Sequence, residues 1–215
     1  MATFNSDRKS DFDLEIVLHA FQKCLLDDKT LLLQEYITAN HELCRFFKLT
    51  GPLFAFVARD LESKIKAVEY HMQSTRGYKY KSLQSMVAFE VKNGTTHTKG
   101  WHPSGCRMFL RLHFALEFIL SFMKRVMMGD ENEKMSKLAW EVYVNTLYQH
   151  HPWLTRKLAA LAVYALPTKK HLIDVMCKQD YDRVSHLLAQ VVDAGQPVYN
   201  VAEEVLAAHK LLNIP

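Results

Sequence analysis

Asp60 and Lys64 stand four residues apart, and so do Arg107 and Arg111. On a helix that spacing puts each pair on one face. Followed toward the N-terminus, the Asp60 face continues through Phe56 to Leu53. Followed toward the C-terminus, the arginine stripe becomes Phe114 and Phe118, about 20° off line at 100° per residue. Each stretch therefore grades from charged to apolar. If two such helices run antiparallel, their charged ends meet and their apolar ends meet, which suits an amphiphile with a polar head and a hydrocarbon body. The same spacing also has a plain reading. An Asp–Lys pair at this interval is commonly a solvated surface bridge, and two arginines ahead of an apolar run are commonly the wet edge of a core helix.

Other chemistries find less support. There is no GxSxG elbow, no HExxH and no glycine-rich phosphate loop. A hydrolase using Asp60 and His151 would lack a nameable nucleophile. The cysteines Cys24, Cys44, Cys106 and Cys177 are widely spaced and form no CxxC pair. Buried thiols in a reducing compartment are expected from them, with no metal site. A formal charge of +4 without a basic block suits an acidic ligand or an anionic membrane surface and gives no nucleic-acid arm.

The elements that must position these residues are helices. Of 215 residues, 49% are apolar and 23% charged, with only 7 Gly and 6 Pro, too few punctuators for many short strands. Twelve Phe and nine Met can fill a core or line an adaptable pocket. Leu14, Val17, Leu18, Phe21 and Leu25 recur at helical spacing after an Asp11 or Asp13 cap. A second helix covers about residues 31–48, with a break expected near Asn40. Gly51-Pro52 opens a third, to about Met72, and a fourth runs from about Tyr80 to Val91. After a loop, Ser104 caps a long helix to about Met128. Further helices are expected from Glu133 to Tyr148, from His151-Pro152-Trp153 to before Pro167, and from Thr168 to Cys177. The last runs from Asp180 to about Leu212, disturbed by Gly195 and Pro197. Residues 1–10 are polar, lack the apolar run of a signal peptide, and are expected to be a flexible segment ahead of one all-α domain over 11–215. No run approaches the length of a membrane span, so a cytosolic protein is expected.

The segment Phe54-Ala55-Phe56-Val57-Ala58-Arg59-Asp60-Leu61-Glu62-Ser63-Lys64 resembles the Asp-x-x-x-Lys headgroup helix of the glycolipid transfer protein superfamily. Gly105-Cys106-Arg107-Met108-Phe109-Leu110-Arg111-Leu112-His113 resembles its second headgroup segment, and His151-Pro152-Trp153 its His-Pro-Trp motif. The tail from Val198-Tyr199-Asn200-Val201 to Leu211-Leu212 resembles its C-terminus. These segments follow the family's order over nearly the whole chain. The resemblance implies a two-layer sandwich of about eight helices enclosing a hydrophobic lipid pocket, and a carrier without enzymatic activity or cofactor.

Within that family, glycolipid carriers have Asn where this chain has Lys64 and a sugar-stacking Trp where it has Arg107. An ammonium and a guanidinium suit a phosphate instead, the guanidinium being able to hold two oxygens at once. The resemblance is strongest to the branch that carries ceramide 1-phosphate. It implies that Lys64, Arg107 and Arg111 hold the phosphate, that Asp60 accepts from the ceramide amide and a sphingoid hydroxyl, and that His151 donates to the amide carbonyl. Leu53, Phe56, Phe114 and Phe118 would line the chain pocket. Trp153, with Arg156 and Lys157 behind it, is the candidate for membrane docking, since an indole favours the interface; a core role at a helix start is the other reading. A monomer touching membranes transiently is expected. A lipid sensor with the same pocket, or a glycolipid carrier of the same fold, are the alternatives.

Overall fold

The structure is a computed structural model describing residues 12–215, with backbone alone at 175 and 176; the expected flexible segment 1–10 and Asp11 lie outside the described residues. Asp13 is the cap that opens α1 (Leu14–Cys24), its side chain accepting from the Glu15 amide. Helix α2 (Leu33–Leu49) runs without the break expected at Asn40. The Asn40 amide donates 2.9 Å back to the Tyr36 carbonyl. A residue type that favours turns is thereby satisfied inside the helix.

Gly51, at a φ of 116°, ends the α2 connection, and Pro52 starts a 3-10 turn that leads into α3 (Ala55–Gln73). Glycine is needed there because other residues rarely adopt that backbone conformation. Helix α4 (Leu83–Lys92) begins with a Ser82–Ser85 capping box. Helix α5 (Gly105–Met128) is capped by Ser104, as its sequence suggests. Helix α6 (Met135–Asn145) stops short of Tyr148, which instead begins a 3-10 turn ending at His150. Helices α7 (Trp153–Tyr164) and α8 (Lys169–Met176) follow, α8 capped by Thr168.

The final helix α9 (Tyr181–Ala208) is continuous through Gly195 and Pro197, contrary to the disturbance expected there. Gly195 serves close packing. A Cβ at this position would lie 2.8 Å from Leu120 and 3.1 Å from Phe21. Its bare backbone thus lets α9 approach both α5 and α1.

Nine α-helices and no named strand form among the described residues, against about eight expected. Helix α1 packs on α2, α2 on α3, α3 on α5, α5 on α9, and α9 back on α1, closing a ring around an apolar interior. Helix α6 lies against α5 and α7 against α6. The all-α sandwich read from the sequence is the observed architecture. All four cysteines are buried within it.

The register of α5, which carries both arginines, is set by a buried carboxylate. Glu90 is 1% exposed. Its Oε1 accepts from Tyr80 Oη at 3.0 Å and the Gly105 amide at 2.7 Å. Its Oε2 accepts from Ser104 Oγ at 2.7 Å and the Cys106 amide at 3.1 Å. A negative group against the unpaired amides of a helix start is favourable both as hydrogen bonding and as dipole complement. Replacing Glu90 by Ala strands those donors and is expected to cost about 3 kcal/mol or more, whereas Tyr80→Phe removes one bond and about 1 kcal/mol. Denaturant titration checks this; equal losses in the two variants would contradict the anchoring role.

Candidate functional site

Helices α3 and α5 pack side by side, and their charged stretches meet at the mouth of a cavity of about 550 Å³. Asp60, Lys64, Arg107, Arg111 and His151 all line it. Lys64 and Asp60 form an ion pair, with the Lys64 side chain only 14% exposed and that of Asp60 59% exposed. Asp60 therefore keeps an open side toward the cavity while Lys64 is drawn in. Such a pairing at the surface holds geometry more than it adds stability.

The arginines are only partly neutralised. Arg111 donates from Nη2 to the Ile214 carbonyl at 3.3 Å. Burial lowers its pKa first and the neighbouring Arg107 second, against the pull of Asp60. Arg107 Nη1 is buried without a hydrogen-bond partner among the described residues. A desolvated donor of that kind is costly unless an acceptor arrives. Three cations and one carboxylate sum to +2, which matches the roughly −1.5 to −2 of a phosphomonoester.

His151 sits opposite, with Nδ1 2.9 Å from Tyr143 Oη. Burial pushes the Tyr143 phenol up to about 12, so it remains a donor. With Nδ1 accepting, the neutral ring carries its proton on Nε2, a tautomer assigned from the hydrogen-bond network. Burial first, and then nearby cations against the opposing pull of Asp60, depress the His151 pKa. His150 also lines the cavity and stacks on Phe114 with ring centroids 3.6 Å apart.

Behind the charged mouth the walls are apolar. Phe56, Phe114 and Phe118 line the cavity as their stripes suggest. Leu53 does not; it is 51% exposed, because the 3-10 turn at 52–54 rotates it off the α3 face on which straight helical spacing would put it. An inner cavity of about 80 Å³ lies beside the outer one, lined among the described residues by apolar side chains and Cys177. Phe47, Phe54, Phe118, Ile119 and Val163 border both spaces. The two spaces are neighbours across these shared side chains, the outer one charged at its mouth and the inner one apolar.

Beside the mouth, Pro152 caps α7, and Trp153 is 69% exposed. Leu154, Leu158, Leu161 and Tyr164 continue an exposed apolar face along α7. Lys157 lies 5.9 Å above the Trp153 ring. Arg156 is turned back onto Tyr148, with its guanidinium 4.2 Å from the ring and Nε donating 2.9 Å to the carbonyl.

Sequence reasoning passed over Tyr143, His150 and the Ile214 carbonyl. No spacing pattern joins α6 or the C-terminal segment to α5. The α7 leucines do show helical spacing, but that pattern reads as a core face until neighbours are seen. Among the described residues, no cluster of His, Cys, Asp or Glu could hold a metal ion, and no helix is long and apolar enough to cross a membrane.

Comparison with known proteins identifies the fold and its relatives. Residues 31–178 match the family model for glycolipid transfer protein. The ceramide-1-phosphate transfer protein of Danio rerio is 35% identical over 207 residues, covering 95% of this chain and 98% of that one. The mouse ceramide-1-phosphate transfer protein in its apo form superposes with a TM-score of 0.88 at 34% identity, covering 95% of this chain and all of that one. The human protein crystallised with 12:0 ceramide-1-phosphate gives a TM-score of 0.86 at 33% identity, over 95% of this chain and 100% of that chain. With its all-helical fold, its headgroup segments in order and this breadth of similarity, the chain belongs to the glycolipid transfer protein family.

Proposed function

We propose that this protein carries ceramide 1-phosphate between membranes, one molecule at a time and without altering it. The observation that carries the reading is the junction of three cations with an apolar passage. Lys64, Arg107 and Arg111 take the phosphate, Arg107 through the Nη1 that has no acceptor of its own among the described residues. Asp60 accepts from the amide N–H and a sphingoid hydroxyl. His151 donates from Nε2 to the amide carbonyl, its tautomer set by Tyr143. A neutral sugar would leave the cations desolvated and unmatched, which disfavours the glycolipid alternative.

A carrier is useful because each buried CH₂ is worth about 0.8 kcal/mol, which makes escape of a two-chain lipid into water very slow. An apolar passage open at a charged mouth lowers that barrier. Trp153 and the exposed leucines of α7 are the surface proposed to enter the interface, with Lys157 meeting anionic headgroups. Arg156 supports Tyr148 at the rim in this reading and contributes charge from there. The protein would act as a monomer in the cytosol, touching membranes transiently.

Arg111→Leu and Lys64→Ala are each expected to lower intervesicular transfer of ceramide 1-phosphate about tenfold or more while circular dichroism stays native, since each removes a charged partner of the phosphate. Undiminished transfer in both variants would sink the phosphate site, and equal transfer of galactosylceramide by the native protein would sink the ligand choice. His150 offers a second test. Burial first, then Arg111, holds its imidazole below the ordinary 6.5. A phosphate at Arg111 cancels that repulsion, so the NMR titration midpoint of His150 should lie higher in the ceramide 1-phosphate complex than in the ceramide complex. Identical midpoints would move the phosphate elsewhere. For docking, a variant retaining only Trp153 among the tryptophans should blue-shift its fluorescence on anionic vesicles; an unmoved spectrum removes Trp153 from the interface.

A further inference from the structure

Two consecutive histidines line the charged cavity, and their surroundings treat them differently. The 3-10 turn Tyr148–His150 ends at the first, and the second follows on extended backbone. His151 is committed to one form. Its Nδ1 accepts from the Tyr143 hydroxyl at 2.9 Å, and burial disfavours a second proton on the ring. His150 is held in place without being committed. Its ring lies flat on Phe114, with centroids 3.6 Å apart and planes 10° from parallel. Phe114 follows Arg111 by three residues on α5, so the face that carries the guanidinium also seats the imidazole. The His150 Nε2 accepts from the Gln149 side-chain amide at 3.3 Å, a hydrogen placement that puts the neutral ring's proton on Nδ1. Gln149 is exposed, and its carboxamide can turn over to accept from an Nε2–H instead. This partner therefore suits either protonation state.

The charges around His150 decide which state it takes. On α5, Arg111 faces it, Arg107 lines the same cavity, and His113 lies close by. His113 meets Glu203 of α9 at 2.6 Å, so that carboxylate is already engaged. Asp60 and Lys64 of α3 are paired with each other, Tyr143 of α6 is bound to His151, and Arg156 of α7 is turned onto Tyr148. Burial first, then Arg111, keeps His150 neutral at neutral pH. An arriving phosphomonoester brings roughly −1.5 to −2 of charge to the guanidinium that opposes protonation. It cancels that repulsion and adds an attraction of its own. The face of Phe114 also favours a cation stacked on it.

We propose that His150 is a further phosphate-holding residue, which takes up a proton as the phosphate arrives and so makes capture of the lipid tighter as pH falls. The inference rests on the reading that this cavity takes a phosphorylated ceramide. Once charged, the ring gives the phosphate a charge-assisted hydrogen bond in place of a neutral one. The proton comes from solvent and returns to it when the lipid leaves, and no bond of the lipid changes. The sign follows from linkage. Between the midpoints of the free and loaded ring, the complex holds one more proton than the separated partners, so affinity there rises with proton activity. Unloading is eased as pH rises. The second ionisation of the phosphate, near about pH 6, works the other way, because a cationic site favours the dianion. A comparison of two proteins on the same lipid removes that contribution.

The test measures binding of octanoyl ceramide 1-phosphate at about pH 8 and about pH 6 by the native chain and by His150→Tyr. Tyrosine keeps a ring on Phe114 and a hydroxyl but cannot become a cation. The ratio of affinity at the lower pH to that at the higher should be about fivefold greater for the native chain, since a midpoint moved by about one unit is worth up to tenfold. A second measurement needs no variant. Ring nitrogen-15 shifts of His150 in the native chain at about pH 6.5 should report a mainly charged ring with octanoyl ceramide 1-phosphate and a mainly neutral one with octanoyl ceramide. Parallel pH profiles in the two proteins, or one protonation state under both lipids, overturns the role of His150. Absence of ceramide 1-phosphate binding by the native chain at either pH would instead refute the function on which it rests.

Discussion

Three cations share the rim of an apolar interior, and the rest of the molecule is arranged around the cost of keeping them there. A guanidinium drawn partly out of water loses hydration that only hydrogen bonds and opposite charge can restore. Here the compensation is incomplete by construction. Asp60 answers Lys64, a carbonyl near the C-terminus answers one arm of Arg111, and one arm of Arg107 has no hydrogen-bond partner among the described residues. A residual charge of this kind is poor for stability and good for capturing a phosphate. The same low-dielectric setting that makes the empty site costly makes the filled one strong.

Such a cluster is useful only if it does not relax. The helices that bear it are therefore anchored away from the ligand. Glu90 grips the first turn of α5 through both oxygens, fixing the register from which Arg107 and Arg111 project. Tyr143, itself part of the cavity wall, bonds the His151 ring at Nδ1 and selects its donating nitrogen. Glu90 acts from outside the cavity lining. Each converts a flexible or ambiguous group into one with a defined position, which is how binding energy avoids being lost to ordering.

The apolar interior is bounded chiefly by helices. The ring of α1, α2, α3, α5 and α9 gives a stable frame, tightened where Gly195 lets α9 press on Leu120 and Phe21. Parts of the wall are not α-helix: 3-10 turns cover Pro52–Phe54 and Tyr148–His150, and Phe12 pairs with Cys177 as an isolated bridge.

The sequence by itself determined the helical class, most helix starts, and the two stripes that turn from charge to hydrocarbon. Those features are local, because caps and three- to four-residue spacing act within a single turn or two. Likeness to family segments added His151, which no spacing reaches. Where local signals misled, the reason was a bond within the helix, a short 3-10 turn, or tertiary contact. Asn40 and Gly195 read as breakers because their intrinsic preferences oppose a helix, yet a bond to Tyr36 and a close approach to α5 and α1 reverse them. Leu53 continues a stripe on paper, but the 3-10 turn after Pro52 shifts it toward solvent. Tyr143, His150 and the Ile214 carbonyl join the site only through packing between segments distant in the chain. Whether the α7 leucines face the core or the outside was likewise decided only by tertiary structure. A stripe records which face of a helix is apolar, and only the neighbouring elements determine whether that face is covered.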